Sequence, residues 1–166
     1  MIALLDRATG LLSRLAAAIG ALALIASLAL VFYSVLLRYL FNRPQPWIDE
    51  LAGYLLVATV MLAAAEALRR DEHIAVDLMT AKLGPAGRRR VALAGFAAMA
   101  VTAALILAGG WEMVAFSNMV GLISEGYLAV PKAWPESLVP IGAGLLLLAA
   151  LVGFLNLLVG RAERPE

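Results

Sequence analysis

Four long apolar stretches alternate with short polar segments along the chain. Leu15–Leu37 runs 23 residues without a charged side chain, Val91–Trp111 runs 21 and Ser137–Gly160 runs 24. Trp47–Leu68 is 22 residues long and is charged only at Asp49, Glu50 and Glu66. Crossing a hydrocarbon layer about 30 Å thick takes about 20 helical residues at about 1.5 Å each, so every stretch is long enough to span. Inside a bilayer the backbone must satisfy its own hydrogen bonds, which leaves helices or a closed barrel. None of the four stretches shows the period-two alternation of a barrel strand. The expected fold class is an all-α integral membrane protein: one domain over residues 1–166 with four transmembrane helices, at about 15–37, 47–68, 91–111 and 137–160.

The segments between and before the spans have their own patterns. The first apolar run is far longer than the ~7–15 residues of a removable signal, so it reads as a permanent span. Before it, Ile2, Leu4, Leu5, Ala8, Leu11, Leu12 and Leu15 recur at helical spacing, with Asp6, Arg7, Ser13 and Arg14 gathered on the other side. Residues 1–14 thus suit a short amphipathic helix lying in the interface, or alternatively a frayed polar start to the first span. The connection Arg38–Pro46 is short and holds Pro44 and Pro46, so the first two helices are adjacent and antiparallel. Pro46 suits the first position of a helix, where Asp49 and Glu50 lie near the positive end of its dipole. In the middle connection Ile74, Leu78 and Ala81 share a helical face that Gly84-Pro85 ends, predicting a second interfacial helix over about 73–83. The third connection, Glu112–Glu136, is the largest patch on the far side. Trp47, Trp111 and Trp134 fall at span ends, as an aromatic belt requires.

Charge placement sets the orientation. The two ends and the middle connection, which share one side in a four-span protein, carry ten Lys and Arg residues; the other side carries Arg38, Arg43 and Lys132. Positive charge favours the cytoplasmic side, so both termini are expected there. Composition excludes much else. At 63% hydrophobic, 15% charged and a mean hydropathy of +0.92, the chain is neither an ordinary soluble domain nor disordered. It has no cysteine, hence no disulfide, thiolate metal site or cysteine nucleophile.

Candidate chemistry is sparse. His73 is the only histidine, whereas a haem held between membrane helices normally takes two. The sequence contains no phosphate-cradling loop, nucleophile elbow or metal-ligand cluster, so neither an enzyme nor a cofactor is expected. Glu66 is an acid inside a span and so a candidate for proton or ion coupling, but it lies near the helix end with Arg70 at i+4 to pair with it. Solute transporters build midplane sites from interrupted helices and polar groups. Here the deep polar residues are scattered hydroxyls, Ser27, Thr59 and Thr102, and Pro140 lies in the first turn of its span. Small residues four apart, Ala16/Gly20, Ala17/Ala21 and Ala23/Ser27, with Gly142, Gly144 and Gly153, provide close-packing faces for this bundle or for a partner's helices.

The ordered set Arg38-Tyr39-Leu40-Phe41-Asn42, Trp47-Ile48-Asp49-Glu50-Leu51, Tyr54, Arg69 and His73-Ile74-Ala75-Val76-Asp77 resembles the small membrane (Q, DctQ-like) subunit of tripartite ATP-independent periplasmic (TRAP) transporters. Asp49-Glu50 stands where the family usually carries two glutamates, and Ala63 where a glycine is expected. The resemblance implies a bacterial inner-membrane subunit that scaffolds a large multi-spanning M subunit and helps dock a periplasmic substrate-binding P protein, for sodium-driven uptake of organic acids. It places Arg38, Trp47, Asp49, Glu50 and Tyr54 at the periplasmic side, with Arg38 available to pair with Asp49 or Glu50. It places Arg69, His73 and Asp77 at the cytoplasmic surface, fixing the interfacial helix or meeting lipid headgroups. No nucleic-acid partner is expected. Rival readings are a self-contained homo-oligomeric exporter, which would need a deep acid, and the membrane anchor of a redox complex, which would need haem from other subunits.

Overall fold

The computed structural model describes residues 2–70 and 84–159, which form helices α1 (Ile2–Leu40), α2 (Pro46–Arg70), α3 (Pro85–Val120), the single turn α4 (Ala133–Glu136) and α5 (Leu138–Leu158). The fold is all-α, with four helices long and apolar enough to cross a membrane. The expected interfacial segment 73–83 and residue 160 lie outside the described residues.

Helix ends follow local chemistry. Past α1, Asn42 takes a left-handed conformation (φ 51°), which Asn tolerates better than most residues, and the N–H groups of Phe41 and Arg43 both donate to the Leu37 carbonyl. Pro46 opens α2 as its pattern predicts, filling a position whose N–H would have no partner. Gly84-Pro85 begin α3. Beyond its end, Gly121 (φ 69°) and Leu122 donate to the carbonyls of Asn118 and Ser117, the paired closure that a left-handed glycine permits.

Two helices are longer than the sequence suggested. α1 does not break near residue 14: its 39 residues, about 58 Å long, are continuous from the amphipathic start through the span. Gly10 is tolerated within it because the Arg69 side chain lies against that position; a Cβ there would stand 2.9 Å from Nη2. α3 continues nine residues past Trp111, since the run 112–120 holds neither Gly nor Pro.

α1 and α2 pack antiparallel along a seam of small residues. Thr9, Ser13, Ala16, Gly20, Ala23 and Ser27 are all buried, at alternating spacings of four and three, the 3.5-residue period of a coiled-coil contact. Three hydrogen bonds cross the seam at heptad intervals: Ser13 Oγ to Glu66 Oε2 at 2.8 Å, Thr59 Oγ1 to the Gly20 carbonyl at 3.1 Å, and Ser27 Oγ to the Ala52 carbonyl at 3.5 Å. The Ala16/Gly20 and Ala23/Ser27 pairs therefore face the bundle, whereas Ala21 of the Ala17/Ala21 pair is exposed. α5 packs on α2, α1 and α3, its Gly142 against the backbone of Met61 and its Gly153 against the Phe96 ring. A Cβ at Gly144 would meet nothing of this chain within 4 Å: two residues from Gly142 it is turned about 200° away, so of the two expected roles it does not serve packing within this bundle. α3 touches α4 and α5 but neither α1 nor α2, and only 6% of its most apolar stretch is buried.

Replacing Gly20 by Leu is expected to wedge α1 off the Thr59 backbone, which a Cβ would already approach within 3.2 Å, and to cost about 1–3 kcal/mol. Thermal unfolding in detergent checks this, with Ala21→Leu expected to leave the midpoint unchanged.

Candidate functional site

Both ends of α2 carry a carboxylate tied to another element. At the start of the helix Ile48 is wholly buried, and this anchor leaves Trp47, Asp49 and Glu50 around it with different surroundings. Trp47 Nε1 donates to Gln45 Oε1 at 3.0 Å. Asp49 is exposed. Glu50 turns the other way: the Tyr54 hydroxyl, one helical turn on, donates to its Oε1 at 2.7 Å, and the Leu128 N–H donates to its Oε2 at 3.1 Å. Gly126 lies directly against this carboxylate and leaves no room for a side chain.

Glu50 thereby ties α2 to the segment between α3 and α4. Residues 121–132 form a compact lobe, closed by an antiparallel bridge between Ile123 and Pro131 and by N–H donation from Ser124 to the Val130 carbonyl (2.9 Å) and from Lys132 to the Leu122 carbonyl (2.9 Å). Ala129, at φ 48°, makes the turn that brings Val130 back. The outside of this end is apolar and aromatic: Met119 is 79% exposed, Tyr127 77% and Trp134 70%, with Trp111, Phe116 and Ile123 also open. Exposed aromatic and methionine side chains on a braced backbone suit a protein contact, where such residues supply area at little entropic cost.

At the opposite end, Glu66 is buried and accepts from Ser13 and from Arg70 Nε at 2.7 Å, with Arg14 at 4.0 Å. The i+4 pair expected from sequence is present. Arg69 forms a salt bridge with Asp6 at 3.0 Å and also donates to the Asp6 carbonyl. Continuing α1 to Ile2 is what brings Asp6 within reach.

The expected site residues thus separate into groups. Glu50 and Tyr54 are bonded to each other. Arg38 is not paired with Asp49 or Glu50, the partners available to it from the sequence; its guanidinium stands 5.9 Å from the Tyr39 ring centre. Arg69 is at the far end of α2, and His73 and Asp77 lie outside the described residues. Sequence reasoning missed Gly126 and Leu128, which lie almost eighty residues from Glu50 and share no pattern with it, and it missed Asp6. Among the described residues no three His, Cys, Asp or Glu side chains come together to hold a metal ion.

Comparison with known proteins gives this arrangement a family. The sequence matches the family described as tripartite ATP-independent periplasmic transporters, DctQ component, over residues 27–160. It is 25% identical over 133 residues to the sialic acid TRAP transporter small permease protein SiaQ of Vibrio cholerae, covering 80% of this chain and 75% of that protein. It is 26% identical over 159 residues to the C4-dicarboxylate TRAP transporter small permease protein DctQ of the same organism, covering 81% and 67%. The chain belongs to the DctQ family: it is a small membrane subunit of a TRAP transporter, a multi-pass inner-membrane protein and not an enzyme.

Without the Glu50 carboxylate, the Leu128 N–H loses its acceptor. Glu50→Ala is expected to speed amide hydrogen exchange across residues 121–132 by about tenfold or more, while α1 and α5 exchange as before.

Proposed function

We propose that this DctQ component is a static scaffold: it enlarges the membrane body of a large M subunit and offers a rigid periplasmic lobe that helps dock a substrate-binding P protein, for ion-gradient-driven uptake of organic acids. The observation that carries this reading is the lobe at residues 121–132, braced by Glu50 and exposing Tyr127, with Met119 of α3 and Trp134 of α4 exposed at its two ends. The excess of Lys and Arg on the termini and middle connection supports a cytoplasmic placement of those segments and a periplasmic one for the lobe. Arg38, Trp47, Asp49, Glu50 and Tyr54 then belong to the periplasmic end; Arg69, His73 and Asp77 belong to the cytoplasmic end.

The membrane interior supports a scaffold rather than a carrier. All three deep hydroxyls spend their donors on backbone carbonyls: Ser27 on Ala52, Thr59 on Gly20 and Leu55, and Thr102 on Ala98 at 3.0 Å. They have little left to offer a solute. The open side of α3 is the large apolar surface left for an M subunit or for lipid.

Affinity purification in mild detergent tests the assembly: a large multi-spanning protein should accompany the chain, and replacing both Asp49 and Glu50 by Ala should lower its recovery. Tyr127→Ala with Trp134→Ala should reduce uptake severalfold while the M subunit still co-purifies. Solute crossing liposomes that hold this chain alone would overturn the scaffold reading.

A further inference from the structure

Where α1 starts and α2 ends, the two helices carry more cations than their carboxylates engage. Asp6 and Arg69 answer each other at 3.0 Å, so Arg69 is spent within the chain. Glu66 is shared. Its Oε1 faces two arginines, with Arg70 Nε at 2.7 Å and Arg14 Nε at 4.0 Å, while its Oε2 accepts from Ser13. One buried carboxylate therefore holds two guanidinium groups beside each other. The Arg14 and Arg70 side chains are nevertheless 73% and 74% exposed, and neither bonds any other described residue.

The surface around this pair is graded. Arg7, Arg14, Ala21 and Leu28 recur at seven-residue intervals, which the period of the seam places on one line along α1, next to Ser13, Gly20 and Ser27. All four are exposed. The line passes from two cations to two apolar side chains where the uncharged run that begins at Leu15 enters the span. On α2, Arg70 lies one turn beyond Glu66 on the side away from the middle of the membrane. Both arginines thus stand at the outer edge of exposed apolar surface.

We propose that Arg14 and Arg70 hold the phosphodiester of one anionic phospholipid of the phosphatidylglycerol class, with Glu66 as the residue that positions them and an acyl chain lying over Ala21 and Leu28. The two free oxygens of the phosphate meet one guanidinium each, in charge-assisted pairs that the planar fork of arginine suits. Glu66 orders both side chains beforehand, so binding forfeits little of their rotamer freedom. Arg7, one heptad further out, gives the headgroup a third cation. An ethanolamine headgroup sets its ammonium among these cations and is repelled; a glycerol headgroup carries no charge there. The acyl contact is what separates a lipid from a free phosphate ion.

Photolabelling tests the site. The transporter that contains this chain is reconstituted in phosphatidylethanolamine vesicles holding a trace of phosphatidylglycerol with a diazirine in its acyl chain, and adducts are mapped by mass spectrometry. Adducts within residues 17–28 should be severalfold more abundant than with a phosphatidylethanolamine probe bearing the same diazirine. Arg14→Gln and Arg70→Gln should each lower them severalfold. Arg90→Gln, which removes an exposed arginine from α3, should leave them unchanged. Glu66→Gln makes this end more positive but releases both guanidinium groups, so labelling should fall; circular dichroism checks that each variant keeps its helices. Stronger labelling in Glu66→Gln would overturn the proposal, because net charge alone would then collect the lipid. So would equal labelling by the two probes, labelling indifferent to Arg14→Gln, or its suppression by inorganic phosphate.

Discussion

The close approach of α1 to α2 is the constraint on which the rest of the molecule is built. In lipid, no hydrophobic force separates helix–helix contact from helix–lipid contact, so association rests on tight packing and on hydrogen bonds between helices. The seam supplies both. Its α1 side consists of Thr, Ser, Ala and Gly only, which lets the backbones come near enough for Ser13, Thr59 and Ser27 to bond across it. The three crossings recur every seven residues on both helices, so one register satisfies them all. A shift by one residue would break all three crossings at once, leaving Ser13 and Thr59 only the bonds to Gly10 and Leu55 within their own helices. The small residues give proximity, and the hydroxyls give register.

With α1 and α2 fixed, the remaining helices have unequal tasks. α5 fills the groove beside them, with its glycines against Met61 and Phe96. α3 then packs on α5 and stays out of contact with the hairpin. It crosses the membrane with most of its circumference open, which is the shape of a component and not of a closed bundle. Its last turns run past Trp111 and carry the lobe at residues 121–132 back over the start of α2. Glu50 is where this detour is secured. The lobe is held by the far end of the hairpin to which α3 itself makes no contact.

Much of this was legible in the sequence, and what was not has identifiable reasons. Uninterrupted apolar runs fixed the spans, because a bilayer imposes a length that few other settings require. Pro46 and the Glu66–Arg70 pair were legible because they are local, within one helical turn. The alternation of polar and apolar residues over 1–14 was read as a surface helix or a frayed start. Neither reading allowed for Asp6 and Ser13 having partners on α2, more than fifty residues away. The same limit hid Leu128 from Glu50. Gly144 shows a complementary limit: glycine signals the capacity for close packing, but only its angular position relative to Gly142 and Gly153 says that it faces away from the other helices of this chain. Arg38 was assigned to the acidic pair by proximity in sequence, and Glu50 had a competing donor in a distant loop.

The distribution of charge along α2 separates mechanical from chemical work. Glu50 and Glu66 are sixteen residues apart, about 24 Å along the axis, so the two carboxylates bracket most of the hydrocarbon layer. Each is bonded to another element, Glu50 to the lobe and Glu66 to α1. Between them the helix shows Thr59 as its polar deep side chain, and that hydroxyl is spent on carbonyls. A carrier needs polar groups at mid-depth that exchange partners as a solute arrives. Here the charged groups sit at the borders, and their partners are backbone groups, hydroxyls or oppositely charged side chains of the same chain. Such bonds hold two helices and a lobe at fixed separation.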